Sequence, residues 1–266
     1  MGGVFARRST YSSVNIRLTN HSVQKGKIVM SLHFAFLVLE EHPYGREMLR
    51  ILLEKDLIPS VIIQEVSAVG DVEREKFLTR MAGQPLPLRL TQLVTAKKIP
   101  VFCVANHNDD ICKELLKADK PDVLALGGTR IIKPQILEIP RRATVNAHPG
   151  ILPWLRGSAS VGWALYKDMP QGATAHFIDP SIDTGDIIVK RQLPVYHHDT
   201  YESINYRIAI LSGELMAESL IFLTNGEAPR EPQDRNVGET FKVIPEDLLE
   251  EGKRRLAEGR YSHFAN

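Results

Sequence analysis

Asn146 and His148 are the residues whose types and spacing best suit chemistry in this sequence. They follow a short apolar segment at 143–145 and stand two positions apart, so extended backbone places both side chains on one face. Pro149 disfavours helix at His148 and supports the extended conformation. The pair combines an amide donor with an imidazole that can donate a hydrogen bond or relay a proton. Such a pair can bind an electrophilic carbonyl and stabilise a tetrahedral oxyanion.

Asp183 is the candidate third member of this site. It lies in the segment Ile-Asp-Thr-Gly at 182–185, which follows a run of alternating polar and apolar residues. Its carboxylate could hold His148 in one tautomer or accept a proton through water. An isolated Asn-x-His pair is more often a turn cap with a structural histidine, so the pair alone favours that simpler interpretation.

The elements that must position these residues follow an α/β pattern. Short apolar segments alternate with helical ones through residue 150, with strands predicted at 34–39, 61–63, 101–104, 123–126 and 143–145. This alternation predicts a Rossmann-like, mostly parallel sheet with helices on both faces. The segments 173–178 and 187–189, joined by a short loop, predict an antiparallel addition. Because ligands bind beyond the carboxyl ends of such strands, we expect Gly128 and the Asn146–His148 pair on one edge.

Three local details are also predicted. Asn108 is expected to cap the helix that follows the third strand, and Asp199 with Glu202 is expected to form a capping box before a long helix. Cys103 lies in a predicted buried strand and is expected to be an inert apolar residue. The only other cysteine is Cys112, and no CxxC motif is present, so a zinc module or a disulfide scaffold is disfavoured.

Composition divides the chain into three parts. Residues 1–30 contain five basic residues and no Asp or Glu; they predict a disordered or targeting extension, with a mitochondrial transit peptide as the targeting alternative. Residues 31–226 are predicted to form the catalytic domain. Residues 227–266 are predicted to form a short C-terminal extension that wraps its own core or a partner subunit, which leaves a homodimer open. A cytoplasmic location is expected unless the leader directs the chain to mitochondria.

Charge and hydropathy limit the partners. The net charge is +1, which gives no electrostatic case for binding nucleic acid or a membrane surface. No apolar run reaches the roughly 18 residues that a membrane-spanning helix needs.

The order of motifs resembles the folate-dependent formyltransferase superfamily. The motifs are Asn-x-His-Pro-x-x-Leu-Pro at 146–153, Arg-Gly at 156–157 and Asp-Thr-Gly-Asp-Ile-Ile at 183–188. The superfamily includes glycinamide ribonucleotide transformylase, methionyl-tRNA formyltransferase, sugar N-formyltransferases and formyltetrahydrofolate deformylase. The resemblance implies that Asn146, His148 and Asp183 are the catalytic trio, that 10-formyltetrahydrofolate is the formyl donor, and that no metal takes part.

The resemblance also implies further site residues. It implies a folate-binding loop over Gly128, Thr129, Arg130, Ile131 and Ile132, and a second loop, containing Asp179 and Ile182, that closes over the pterin. It places Thr174 and His176 beside the site without contact to the substrate. A structural role, in which the ring nitrogens of His176 are hydrogen-bonded within the core, explains this histidine equally well. Gly150 stands where many members have Ser, a difference that we expect to matter little.

The loop after the first strand bears on the acceptor. It contains Glu40 and Glu41 and no glycine cluster, so it is a poor cradle for a phosphate, and a purine-pathway substrate is disfavoured. The chain after residue 226 is also too short for the larger basic domain of the tRNA enzyme. We therefore expect N-formylation of a small-molecule amine, with a nucleotide-linked amino sugar as one candidate. The alternatives are a formyltetrahydrofolate hydrolase, a methionyl-tRNA formyltransferase-like enzyme and a catalytically idle folate-binding scaffold.

Overall fold

A computed structural model describes residues 32–265 and, before them, two short strands, β1 (Val23–Gln24) and β2 (Lys27–Ile28). These two strands pair antiparallel with each other. The rest of the predicted extension over residues 1–30 lies outside the described residues.

A seven-stranded sheet forms the centre of the fold. Its strands are β3 (Phe34–Leu39), β4 (Val61–Glu65), β5 (Val101–Val104), β6 (Val123–Leu126), β7 (Ala143–His148), β9 (Gly172–Phe177) and β10 (Ile187–Gln192), and a separate parallel pair is formed by β8 (Leu155–Gly157) and β11 (Glu239–Phe241). The order in the sheet is β10-β9-β7-β6-β3-β4-β5. The five neighbouring strands β7, β6, β3, β4 and β5 are parallel, whereas β9 runs antiparallel to β7, and β10 antiparallel to β9. The predicted fold class is confirmed.

Helices cover both faces of the sheet because the central strands are apolar on both. Along β3, Phe34, Phe36 and Val38 face one core cluster, and Ala35 and Leu37 face another. The helices are α1 (Pro43–Glu54), α2 (Ala68–Arg80), α3 (Leu90–Thr95), α4 (Asp110–Asp119), α5 (Pro134–Leu137), α6 (Ser160–Tyr166), α7 (Tyr201–Thr224) and α8 (Glu246–Ala257). Helices α1 and α7 complete the first cluster, and α4 and α5 complete the second.

The two helix caps were predicted one residue too early. Asp109, not Asn108, caps α4, since its side chain accepts a hydrogen bond from the Cys112 N–H at 2.8 Å. Thr200, not Asp199, caps α7. In both cases two neighbouring residues have cap-competent side chains, and the sequence pattern does not choose between them.

Cys103 is exposed, so the prediction that it is buried is wrong. It lies on β5, which is the edge strand of the sheet and is only partly covered. In the part of the chain that the structure describes, no helix is long and apolar enough to cross a bilayer.

The C-terminal residues pack on their own chain. Strand β11 pairs with β8, and α8 packs against α6. Glu231 and Ile187 exchange two main-chain hydrogen bonds of 2.9 Å, which tie the segment before β11 to the start of β10.

Candidate active site

Strand β7 carries Asn146 and His148 to the carboxyl edge of the sheet. Asn146 is in register with Leu126, the last residue of β6, so the loop that begins at Gly127 lies at the same edge. Asp183 reaches this edge from the connection between β9 and β10. The structure thus brings all three predicted catalytic residues together, and His176 with them.

The ring of His148 is buried, with 3% of its surface exposed. Its Nε2 lies 2.6 Å from the main-chain oxygen of Leu155; a carbonyl only accepts, so Nε2 carries the proton. Nδ1 lies 3.4 Å from Oδ2 of Asp183. Burial lowers the pKa of His148 below its ordinary value, although the charge of Asp183 opposes this shift. At neutral pH the ring is therefore neutral, and Nδ1 is the atom that can take a proton.

Asp183 is held ionised by its neighbours. Burial alone would raise the pKa of its carboxyl group, but the neighbouring His148 and His176 rings and the N–H of Gly157 outweigh this effect and lower the pKa below its ordinary value. The Gly157 N–H donates to Oδ2 at 2.8 Å. The backbone of Asp183 has a φ of 52°, in the left-handed region that non-glycine residues adopt rarely, so the surrounding contacts must hold it there.

His176 contacts two of the three catalytic candidates. It is fully buried on β9, and its Nδ1 donates to the main-chain oxygen of Phe177 at 2.9 Å. Its Nε2 lies 3.2 Å from Nδ2 of Asn146 and 3.5 Å from Oδ1 of Asp183. Because Nδ1 carries the proton, Nε2 accepts from the Asn146 amide and orients it. One hydrogen of that amide stays available for a ligand.

Thr174 shapes the turn that follows His148. Its hydroxyl donates to the Gly150 oxygen at 2.8 Å and accepts from the Leu152 N–H at 3.1 Å. A Cβ atom at Gly150 would lie 2.9 Å from Nε2 of His148 and 3.0 Å from the Leu155 oxygen. A side chain at position 150 would therefore require the histidine ring or its neighbours to shift, and the expectation that Gly150 matters little stays a prediction.

The predicted folate loop presents its residues in different directions. Gly128 has a φ of 77°, and its oxygen accepts from the Leu39 N–H at 3.3 Å. Thr129 is half-buried. Ile131 is 74% exposed, whereas Ile132 packs into the core.

Arg130 is bound by a carboxylate that the sequence did not single out. Its guanidinium lies 2.8 Å from Oε1 of Glu65, which is fully buried at the end of β4. Glu65 also accepts from the Ser67 hydroxyl at 2.7 Å and from the His107 N–H at 2.9 Å. These contacts anchor the 128–132 loop to two neighbouring strands. The only sign of Glu65 in the sequence is that a carboxylate stands at the end of a strand, on the same edge of the sheet.

Asp179 organises the second predicted loop. Its Oδ1 accepts from the Thr184 hydroxyl at 2.7 Å, and its Oδ2 pairs with Arg235 at 3.0 Å. Ile182 is 48% exposed. Each of the two loops thus presents an exposed isoleucine, Ile131 on one and Ile182 on the other. Apolar side chains suit the faces of a flat heteroaromatic ring such as a pterin.

The carboxylates of the loop after β3 are paired with arginines. Glu41 binds Arg46 at 2.7 Å, and Glu40 lies 3.9 Å from Arg74. These contacts offset the repulsion of a phosphate that the two glutamates alone would cause. Part of the loop lines a cavity of about 550 Å³ whose wall includes Glu41, Arg46, Arg74, Arg89 and Gln92.

No group of three or more His, Cys, Asp or Glu residues is placed to hold a metal ion within residues 32–265 and the two short strands before them.

Comparison with known proteins gives one family. Residues 69–220 match the family described as formyl transferase. A methionyl-tRNA formyltransferase from Pelotomaculum thermopropionicum is 35% identical over 149 residues, which are 55% of this chain and 48% of the relative. The same enzyme from Methylacidiphilum infernorum is 32% identical over 192 residues, which are 71% of this chain and 57% of the relative. The chain thus spans about half the length of these curated relatives. Both organisms are bacteria and give no support to the mitochondrial alternative.

Solved structures share the fold at low sequence identity. A sugar N-formyltransferase from Shewanella sp. FDAARGOS_354 superposes with a TM-score of 0.58 at 14% identity, over 84% of this chain and 87% of that one. Glycinamide ribonucleotide transformylase 1 from Symbiobacterium toebii gives a TM-score of 0.57 at 18% identity, over 79% of this chain and 95% of that one.

Proposed function

We propose that this chain, which belongs to the formyl transferase family, moves a formyl group from 10-formyltetrahydrofolate to the amine of a small-molecule acceptor. The observation that carries the proposal is the pairing of a neutral imidazole with an ionised carboxylate at the sheet edge. Nδ1 of His148 is free to take a proton, and Asp183 stabilises the cation that results. Asn146 adds an amide hydrogen on the same side of β7.

These three side chains match the needs of acyl transfer to an amine. When bound, 10-formyltetrahydrofolate would supply the electrophilic formyl carbon. The new C–N bond forms from the acceptor amine, the bond to the folate nitrogen breaks, and the proton lost by the amine ends on that nitrogen. The Asn146 amide stabilises the oxyanion that develops between these events. His148 takes the amine proton and returns it to the leaving nitrogen, and Asp183 stabilises the imidazolium between the two transfers.

Two loops are proposed to bind the folate. They are the 128–132 loop, anchored by Glu65, and the 179–183 loop, shaped by Asp179. The exposed Ile131 and Ile182 are the side chains proposed to contact the pterin. A solved relative, the formyltransferase PseJ from Anoxybacillus kamchatkensis, is described in complex with tetrahydrofolate and a UDP-linked formamido sugar. That protein supports a folate donor and a nucleotide-linked amino sugar as one acceptor class to test here.

A methionyl-tRNA acceptor is the second candidate. The observation in its favour is the 35% identity to a methionyl-tRNA formyltransferase. Against it, the net charge of +1 offers no general attraction for RNA. The arginines near the β3 loop are paired with carboxylates, which leaves little uncompensated positive charge there.

An acceptor panel tests the proposal. The protein is incubated with 10-formyltetrahydrofolate and, separately, with nucleotide-linked amino sugars, free amino sugars, amino acids, methionyl-tRNA or no acceptor, and each acceptor is analysed by mass spectrometry. The proposal expects one small amine to gain a formyl group. Transfer to methionyl-tRNA alone would favour the second candidate. Tetrahydrofolate release without any acceptor would favour hydrolysis, and folate binding without turnover would favour a scaffold.

A further inference from the structure

Strand β8 contacts the catalytic candidates through its main chain. The Leu155 oxygen accepts the proton of His148 Nε2 at 2.6 Å, and the Gly157 N–H donates to Asp183 at 2.8 Å. The tautomer of the histidine and the direction of the carboxylate both depend on where this three-residue strand lies. Main-chain groups cannot change rotamer, so the strand itself must be held in place.

The C-terminal segment holds β8 from its other side. Strand β11 pairs with it in parallel, and the Ser158 N–H donates to the Phe241 oxygen at 2.9 Å. Arg156, in the middle of β8, is only 4% exposed, and its guanidinium donates to the main-chain oxygens of Val237 at 3.0 Å and Asp234 at 3.2 Å. A buried guanidinium satisfied by carbonyl groups of one segment fixes that segment relative to the strand.

Gln233 connects this segment to the Asp183 loop directly. Its Nε2 donates to the main-chain oxygens of Asp183 at 3.0 Å and Gly185 at 2.7 Å. Its Oε1 lies 3.3 Å from an Arg156 amino group. The amide therefore holds the backbone on both sides of Thr184. Asp183 has a left-handed φ of 52°, so its main chain needs such external restraint.

We propose that Gln233 is a positioning residue for the reaction, acting on Asp183 through these two carbonyl contacts. Arg156 supports it by holding the amide group. Residue 233 lies beyond the 69–220 range that matches the family, so the family match alone assigns it no role. The expected effect of Gln233 on turnover rests on the proposed function, whereas its effect on the position of Asp183 does not.

Two substitutions and a control separate the contacts. Gln233→Met keeps the side-chain length and removes both donors and the acceptor. Gln233→Glu keeps an oxygen for Arg156 but cannot donate to the two carbonyls. Lys242→Ala is the control, because Lys242 is exposed in the same segment and contacts Trp163 only through its main-chain oxygen.

Both Gln233 variants are expected to lower kcat by about 10- to 100-fold, because small displacements of catalytic groups have effects of this size. The KM for 10-formyltetrahydrofolate and the thermal midpoint should match those of Lys242→Ala. The second readout is the NMR titration of His148, assigned by comparison with His148→Gln. Asp183 raises the pKa of His148, so a displaced carboxylate should move that titration to lower pH in Gln233→Met.

Five results decide between these outcomes. A lower kcat in both variants, with a His148 titration shifted to lower pH in Gln233→Met, supports the inference. Wild-type kcat and titration in both variants would overturn it, and so would a loss of activity that only follows a loss of folded protein. Recovery in Gln233→Glu alone would assign the effect to Arg156 and reject the two carbonyl contacts. If the wild-type protein transfers no formyl group, the proposed function fails, and the titration still tests the positioning.

Discussion

Nδ1 of His148 faces Oδ2 of Asp183 at 3.4 Å, while the opposite nitrogen of the same ring is held by the Leu155 oxygen at 2.6 Å. The carbonyl fixes which nitrogen carries the proton, and the carboxylate stabilises the ring once the other nitrogen takes a second one. Burial keeps the resting ring neutral. A group with these properties can accept a proton during the reaction and release it afterwards.

Removing either partner should reduce turnover without unfolding the chain. His148→Ala and Asp183→Asn are each expected to lower kcat by about 10²- to 10⁴-fold, the range typical of general acid–base catalysis. Steady-state kinetics with the accepted amine measures the effect. His263→Ala is the matched control, because His263 is exposed near the C-terminus and should leave kcat unchanged. Turnover of His148→Ala equal to that of the control would exclude His148 from the proton transfer.

Gly150→Ala should reduce kcat by more than any loss of folded protein would explain. Its new methyl group would come within 2.9 Å of His148 Nε2, so the ring must move away from the Leu155 oxygen. We expect kcat to fall about tenfold or more, as for other small displacements of a catalytic group. Gly83→Ala is the comparison: its φ of 75° makes the alanine strained, but nothing lies within 4 Å. That variant should lose some stability and keep its kcat; equal kcat in both variants would contradict the packing argument.

Glu65→Gln should weaken folate binding. The substitution replaces the charge that holds Arg130 at 2.8 Å and so loosens the anchor of the 128–132 loop. A rise of about tenfold in the KM for 10-formyltetrahydrofolate is expected, equivalent to about 1.4 kcal/mol, with little change in kcat. Glu114→Gln, on the exposed face of α4, serves as the control. A KM unchanged from that control would show that the loop does not depend on the ion pair.

His42 should make the protein less stable in acid. Burial and the charges of Arg80, Arg74 and Arg46 lower its pKa from 6.5 to about 3. Between these values the unfolded chain binds a proton that the folded chain does not, so the free energy of unfolding falls as pH falls, by up to about 1.4 kcal/mol per unit. His42→Phe, which can pack against Phe77 in the same way, should flatten this dependence in urea unfolding at pH 7.5 and 5.5.

The same substitution at the exposed His263 is the control for that measurement. A wild-type slope in His42→Phe would mean that His42 is not protonated differently in the folded and unfolded chains.

Local periodicity is enough to predict the sheet and the position of Asn146 and His148 on one face of β7. The two-residue spacing of Asn146 and His148, and the strand order that aligns Leu126 with Asn146, are properties of neighbouring residues and parallel strands. Asp183 was a harder case. Strand β9 runs antiparallel to β7, and Ile178 after it bonds to Thr144, at the start of β7. The loop must fold back to reach His148, and periodicity carries no sign of that.

Contacts between a side chain and a distant main chain left no pattern in the sequence. Gln233 binds the oxygen of a residue 50 positions away, and Glu65 binds the N–H of a residue 42 positions away. Both residues look like ordinary polar positions, at a polar segment and at a strand end. Their importance follows from which loops the fold brings beside them, which only the three-dimensional arrangement specifies.

The most direct test of the proposed reaction compares two products in one experiment. Wild-type protein is mixed with 10-formyltetrahydrofolate and the accepted amine, and both tetrahydrofolate and the N-formyl product are measured over time. The proposal predicts equal amounts of the two at every time, and neither product above the uncatalysed level in the doubly substituted His148→Ala, Asp183→Asn protein. Tetrahydrofolate without an equal amount of N-formyl product, or unchanged formation of both in the double variant, would contradict it.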